Sequence, residues 1–276
     1  MCSMKINKVR LDLLLVERNL APSREKAKAL LMSGQVFVNG IRREKAGDMV
    51  DEQSEITLKG RGLPFASRGG FKLEKALQVF GVSPQDKVVA DLGASTGGFT
   101  DCLLKAGARR VYAVDVGYGL LDYRLRQDPR VTVMDRTNAR YLKKEQFPEP
   151  PDLVTMDLSF ISLKLVIPAA KEILAPGGRI VCLIKPQFEA GKENVGRGGV
   201  VRDPKIHEQV LRRFSEFCQG QGLRTENLSF SPIKGPAGNI EFLGCLAPEG
   251  GGTEQNTENT RPDIAALVAR AWQEAE

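Results

Sequence analysis

Lys87-Val88-Val89-Ala90-Asp91-Leu92-Gly93-Ala94-Ser95-Thr96-Gly97-Gly98-Phe99 decides how this chain is read. Three apolar residues between Lys87 and Asp91 form a buried strand too short to be a helix. A glycine-rich turn and a helical stretch follow. Strand, glycine turn and helix are the opening elements of a doubly wound α/β nucleotide site. The glycines matter because a backbone without Cβ atoms lets a ligand approach closely.

Working outward, the alternation continues. Val111 to Val114 reads as a second strand ending in Asp115, and Val131 to Met134 as a third ending in Asp135, with Asn138 just beyond. Acids after the second strand of such a sheet commonly accept hydrogen bonds from ribose hydroxyls. The spacing lacks Gly-x-Gly-x-x-Gly, which argues against a dinucleotide. No Gly-x-x-x-x-Gly-Lys-Ser/Thr occurs, which argues against a nucleoside triphosphatase. A glycine turn alone is equally well a structural turn, but acids placed in order after two further strands strengthen the nucleotide reading.

Four charged residues stand at strand boundaries. Lys72 precedes the first strand of the sheet. Asp157 ends the fourth, after Leu153 to Met156. Lys185 ends the fifth, after Ile180 to Ile184, and Glu241 opens the last, Ile240 to Leu246. Ligands of an open parallel sheet bind beyond the carboxyl ends of its strands, so Asp157 and Lys185 should face that crevice. Any one of the four, taken alone, is equally well a charge meeting water. Cys182 lies inside the fifth strand and reads as core. The loop Gly191 to Asp203 reads either as an RNA clamp or as a long solvated loop, and Asp203-Pro204 starts a helix.

The 276 residues suffice for one catalytic domain and a smaller module. Net charge is +6, and Met1 to Gly47 alone holds ten Lys or Arg against four Asp or Glu. That module reads as a helix with Leu11, Leu14 and Leu15, a second helix capped by Ser23, a hairpin turning at Asn39-Gly40, and a strand holding Ile56 and Leu58. No apolar run approaches the ~18 residues of a membrane span, and Met1 to Arg10 has no signal-like core, so a cytoplasmic protein is expected. Five scattered cysteines and one histidine, His207, leave no zinc spacing, and no metal is expected. His207 sits among charges and reads as a surface residue.

Arg10 to Val16, Ser23 to Ala27 and Gly34 to Gly40 resemble the S-four-like RNA-binding domain. That resemblance implies RNA contacts at Arg10, Arg24, Lys26, Arg42, Arg43 and Arg68, each of which is also well read as a solvated charge. Asp91 to Phe99 resembles the S-adenosylmethionine motif of Rossmann-like class I methyltransferases. It implies cofactor contacts at Asp91, Gly93, Ser95, Thr96, Gly97, Gly98, Phe99, Asp115, Asp135, Asn138 and Asp157. Lys72, Asp157, Lys185 and Glu241 resemble the catalytic tetrad of FtsJ-like ribose 2′-O-methyltransferases. Ser67 to Leu73, Asp157 to Leu163 and Leu183 to Glu189 carry a resemblance to the TlyA family, described both as ribosomal RNA methyltransferases and as haemolysins.

The resemblance implies S-adenosylmethionine as cofactor and ribosomal RNA, at cytidine, as substrate. The expected domains are residues 5–63 for RNA binding, 64–248 for methyl transfer, a polar insert at 249–260 and a last helix at 261–276. Ala265, Leu267, Val268 and Trp272 should form that helix's apolar side. Two other classes remain: a membrane-active haemolysin, against which the absent span argues, and a non-catalytic ribosome assembly factor, against which the intact tetrad argues.

Overall fold

The computed structural model describes residues 8–58, 64–250 and 263–274. Residues 61–63, at the expected boundary between the two domains, and most of the polar insert lie outside the described residues. The chain divides into two units, Met1–Arg68 and Gly69–Glu276.

The first unit runs β1 (Lys8–Arg10), α1 (Leu11–Glu17), α2 (Arg24–Met32), β2 (Val36–Val38), β3 (Ile41–Arg43), β4 (Met49–Asp51) and β5 (Ile56–Leu58). Strands β3, β2 and β5 form an antiparallel sheet. Val36 and Val38 point from it into a small core with Leu11, Leu14, Leu15, Ala27 and Leu31. Ser23 caps α2 by accepting a hydrogen bond from Lys26 N. The β1–β4 pair, with Val9 opposite Val50, adds a ribbon to the expected helix, helix, hairpin order.

The second unit contains α3 (Gly69–Phe80), β6 (Val88–Leu92), α4 (Gly98–Lys105), β7 (Arg110–Val114), α5 (Tyr123–Arg126), β8 (Val131–Met134), β9 (Leu153–Met156), α6 (Ile167–Ile173), β10 (Arg179–Ile184), α7 (Pro186–Glu189), α8 (Pro204–Gly220), β11 (Leu223–Phe230), β12 (Phe242–Pro248) and α9 (Ile264–Glu274). The sheet order is β11-β12-β10-β9-β6-β7-β8. β12 runs antiparallel to both of its neighbours, and the remaining pairings of the sheet are parallel. All five residues of β6 are buried, as a central parallel strand covered on both faces requires. Strand order reverses between β6 and β9, which opens the crevice for a ligand at their carboxyl ends.

The structure corrects three local expectations. His207 is fully buried. It shares the inner face of α8 with Val210, Leu211, Phe214 and Cys218, and its Nδ1 accepts a hydrogen bond from Trp272 Nε1 at 3.1 Å. Charged neighbours in sequence hid a helical spacing that faces inward. In α9 the buried residues are Ile264, Val268 and Ala271, while Ala265 is exposed. Glu241 immediately precedes β12 rather than opening it. No helix among the described residues is long and apolar enough to cross a membrane.

Candidate active site

The glycine turn is built by backbone geometry. Gly93 has φ +87°, and a Cβ there would lie 2.7 Å from the carbonyl oxygen of Asp157. Gly97, at φ +96°, caps α4, and a Cβ would overlap Leu125. Gly93 N and Ala94 N both donate to Val114 O, at 2.8 and 3.1 Å. Asp115 accepts from Ser95 N and Gly117 N, each at 2.8 Å. Ser95 and Thr96 are exposed at the turn, while Gly98 and Phe99 are buried in the start of α4.

Asp91 is fully buried beneath this turn and accepts from Thr100 Oγ1 at 2.7 Å and Thr155 Oγ1 at 3.0 Å. It braces the turn from behind. Burial pushes its carboxyl up to about 7, against the pull of the two threonine hydroxyls. Asp135 is tied to the Arg126 guanidinium and to Gly119 N, and Asn138 caps a 3-10 turn through Arg140 N. Both therefore have partners within the protein.

The four charged residues form two pairs. Lys72, on α3, and Glu241 are buried, with Lys72 Nζ 2.6 Å from Glu241 Oε2. Lys185 Nζ lies 2.7 Å from Asp157 Oδ1, off the direction of a hydrogen bond, and donates instead to Ser159 Oγ at 2.9 Å. The sheet explains the convergence. Asp157 and Lys185 follow the adjacent parallel strands β9 and β10, and Ile184 sits opposite Phe242 across the β10–β12 pair. The start of β12 therefore meets the end of β10.

Three residues of this region take no role from the sequence alone, although they lie in the stretches Asp157 to Leu163 and Leu183 to Glu189 that carry the family resemblance. Ser159 meets Lys185. Phe160 is 91% exposed with φ +64°. Its ring lies 5.4 Å from that of Phe188. Glu189 Oε2 accepts from Ser162 Oγ and Oε1 from Leu163 N, each at 2.7 Å. Cys182 is buried, and burial holds its thiol well above the usual range. Among the described residues no group of three His, Cys, Asp or Glu is placed to hold a metal ion.

Residues 65–247 match the FtsJ-like methyltransferase family, and residues 9–56 match the S4 domain. The chain belongs to the TlyA family of FtsJ-like methyltransferases. The 16S/23S rRNA (cytidine-2'-O)-methyltransferase TlyA of Mycobacterium tuberculosis is 42% identical over 86% of this chain and 88% of its own length. YqxC of Bacillus subtilis, provisionally described as an rRNA methyltransferase, is 52% identical over 97% of this chain and 95% of its own. A solved structure from Streptococcus thermophilus, provisionally described as a hemolysin, has 45% identity and a TM-score of 0.76, covering 98% of this chain and 97% of that one.

In the S4 domain of this TlyA-family chain, the expected RNA contacts are mostly paired. Asp12 is buried and held by Arg10 Nε at 3.0 Å and Arg24 Nη2 at 2.9 Å. These guanidiniums, Arg10 foremost, hold its carboxyl far below the usual range, against the effect of burial. Arg42 meets Glu44 at 2.8 Å and Arg43 meets Asp48 at 3.9 Å. Arg10 and Arg24 keep about half of their side-chain surface exposed, at 44% and 48%. A guanidinium has five N–H donors, so each retains donors for a phosphate. Lys26 is exposed in the first turn of α2, and Arg68 is exposed just before α3.

Proposed function

We propose that this chain transfers the methyl group of S-adenosylmethionine to a ribose 2′-hydroxyl of ribosomal RNA, at cytidine. The observation that carries the reading is the pair of lysine–carboxylate contacts at the ends of β9 and β10 and the start of β12, with Asp157 against the glycine turn. The turn fits the cofactor on its own residues. Gly93 lets the turn pack against the Asp157 backbone at the end of β9, where a Cβ would clash, which brings the turn and Asp157 together. Asp115 keeps two of its four lone-pair sites for ribose hydroxyls beyond those taken by Ser95 N and Gly117 N. Asp157 Oδ1 faces the Lys185 ammonium at 2.7 Å, which ties that lysine to the end of β9 beside the turn.

When bound, the cofactor supplies an electrophilic methyl on a sulfonium sulfur. The chain's residues must then make a weak nucleophile attack it in line, from about 3–3.5 Å. Lys185 is the group placed for this. As an amine it takes the hydroxyl proton, and as an ammonium it donates to the oxygen as negative charge develops. Asp157 and Ser159 fix its position, and Lys72 with Glu241 anchors α3 to the start of β12. Exposed Phe160 offers an aromatic face on which an unstacked base can lie, holding its sugar over Lys185. The S4 domain adds phosphate contacts that set register without reading sequence.

The test is labelled methyl transfer by purified protein to ribosomal subunits, followed by mass analysis of nucleosides. A new 2′-O-methylcytidine supports the reading. Methylation of a base, or none on any ribosomal particle, ends it.

A further inference from the structure

Glu189 is a carboxylate on the wall of the site that belongs to neither lysine pair. It ends α7, one helical turn after Lys185, and is partly buried. A carboxylate kept from water is costly unless its oxygens are satisfied. Both are. Oε2 accepts from Ser162 Oγ and Oε1 from Leu163 N. These partners lie at the far end of the segment that starts at Asp157. Asp157 N donates to Leu92 O at 3.1 Å, so residues 157–163 are tied to the sheet at one end and to α7 at the other.

Between the two ties stands Phe160, in the left-handed backbone region that a bulky residue rarely adopts. Such a conformation persists only where its surroundings impose it. Next to it, Ser159 receives the Lys185 hydrogen bond. We propose that Glu189 is a positioning residue for methyl transfer: it holds the 157–163 segment in the bent form that places Ser159 against Lys185 and Phe160 outward toward RNA. The inference rests on the methyl-transfer reading above, and Glu189 acts through Ser159 and Phe160 rather than on the reacting atoms.

Without the clasp, Phe160 relaxes to an ordinary backbone angle and Ser159 leaves Lys185. The cofactor turn keeps its own supports at Val114 and Asp115. The geometry therefore separates turnover from cofactor binding. The neighbours facing Glu189 are the Lys164 ammonium and the Cys182 and Cys218 thiols. Burial pushes its carboxyl up, while Leu163 N–H, Ser162 O–H and Lys164 pull it back. Glutamine can reproduce both links, accepting from Leu163 N and donating to Ser162 Oγ.

The experiment compares wild type, Glu189→Ala and Glu189→Gln on ribosomal subunits, measuring kcat, KM and S-adenosylmethionine affinity. Hydrogen exchange of the 157–165 segment is measured without substrate. Glu189→Ala should lower kcat between about tenfold and a hundredfold. Cofactor affinity should stay within about twofold, exchange should speed up in that segment alone, and Glu189→Gln should recover most of both effects. Wild-type kcat in Glu189→Ala overturns the proposal, as does a loss that Gln fails to recover or that tracks cofactor affinity. A wild type that methylates no subunit overturns the functional reading instead.

Discussion

Lys72 Nζ lies 2.6 Å from Glu241 Oε2 across 169 residues of chain. Glu241 is 1% exposed, so its charge has almost no water to fall back on. Lys72→Met should strand it and destabilise the second unit by about 3–5 kcal/mol. The double variant Lys72→Met/Glu241→Leu should recover most of this while remaining inactive. Urea unfolding midpoints decide it. A Lys72→Met protein as stable as wild type would mean the pair does not hold the unit together.

Lys185→Ala should lower methyl transfer to ribosomal subunits by about 10²–10⁴-fold, the usual contribution of a positioned proton-transfer group. Cofactor affinity, measured by equilibrium dialysis, should be retained, because the glycine turn is untouched. Transfer at the wild-type rate would remove Lys185 from the mechanism.

Gly93→Ala combines two penalties. The left-handed backbone costs an L-residue about 1–2 kcal/mol. The new Cβ also presses on the Asp157 carbonyl. S-adenosylmethionine binding should weaken by about tenfold or more, with helix content by circular dichroism unchanged. Unaltered affinity would place the cofactor elsewhere.

Asp91 and His207 titrate in opposite senses. Asp91's folded value is raised from 3.8 to about 7 by burial, so stability from this group falls as pH rises through that window. His207's folded value is lowered from 6.5 to about 4, again by burial, so its stability is present above 6.5 and lost as pH falls toward 4. The two slopes offset in wild type. Asp91→Asn should leave stability rising with pH across about 4 to 6.5, and His207→Gln should leave it falling across about 4 to 7. Other carboxylates are common to all three proteins, so differences between thermal unfolding profiles isolate each group. Identical pH slopes in all three would contradict both assignments.

What could be read before any coordinates was whatever repeats locally. The glycine turn, the Ser23 cap and the strand-end charges each announce themselves within a few residues. Pairings across the chain do not. Nothing near Phe160 indicates that Glu189 will clasp its segment, because that contact joins the segments that follow two different strands, β9 and β10. The β1–β4 ribbon joins two three-residue strands, too short to show a period. His207 was legible in principle, since 207, 210, 211, 214 and 218 share one helical face, but its charged neighbours outweighed that spacing.

The last strand of the sheet, β12, lies not at an edge but between β10 and β11, both made earlier. During synthesis the apolar flank of β10 therefore stays open until nearly the whole domain has left the ribosome, an invitation to wrong partners. Glu241 arrives with that strand, so its contact with Lys72 forms only once the sheet closes.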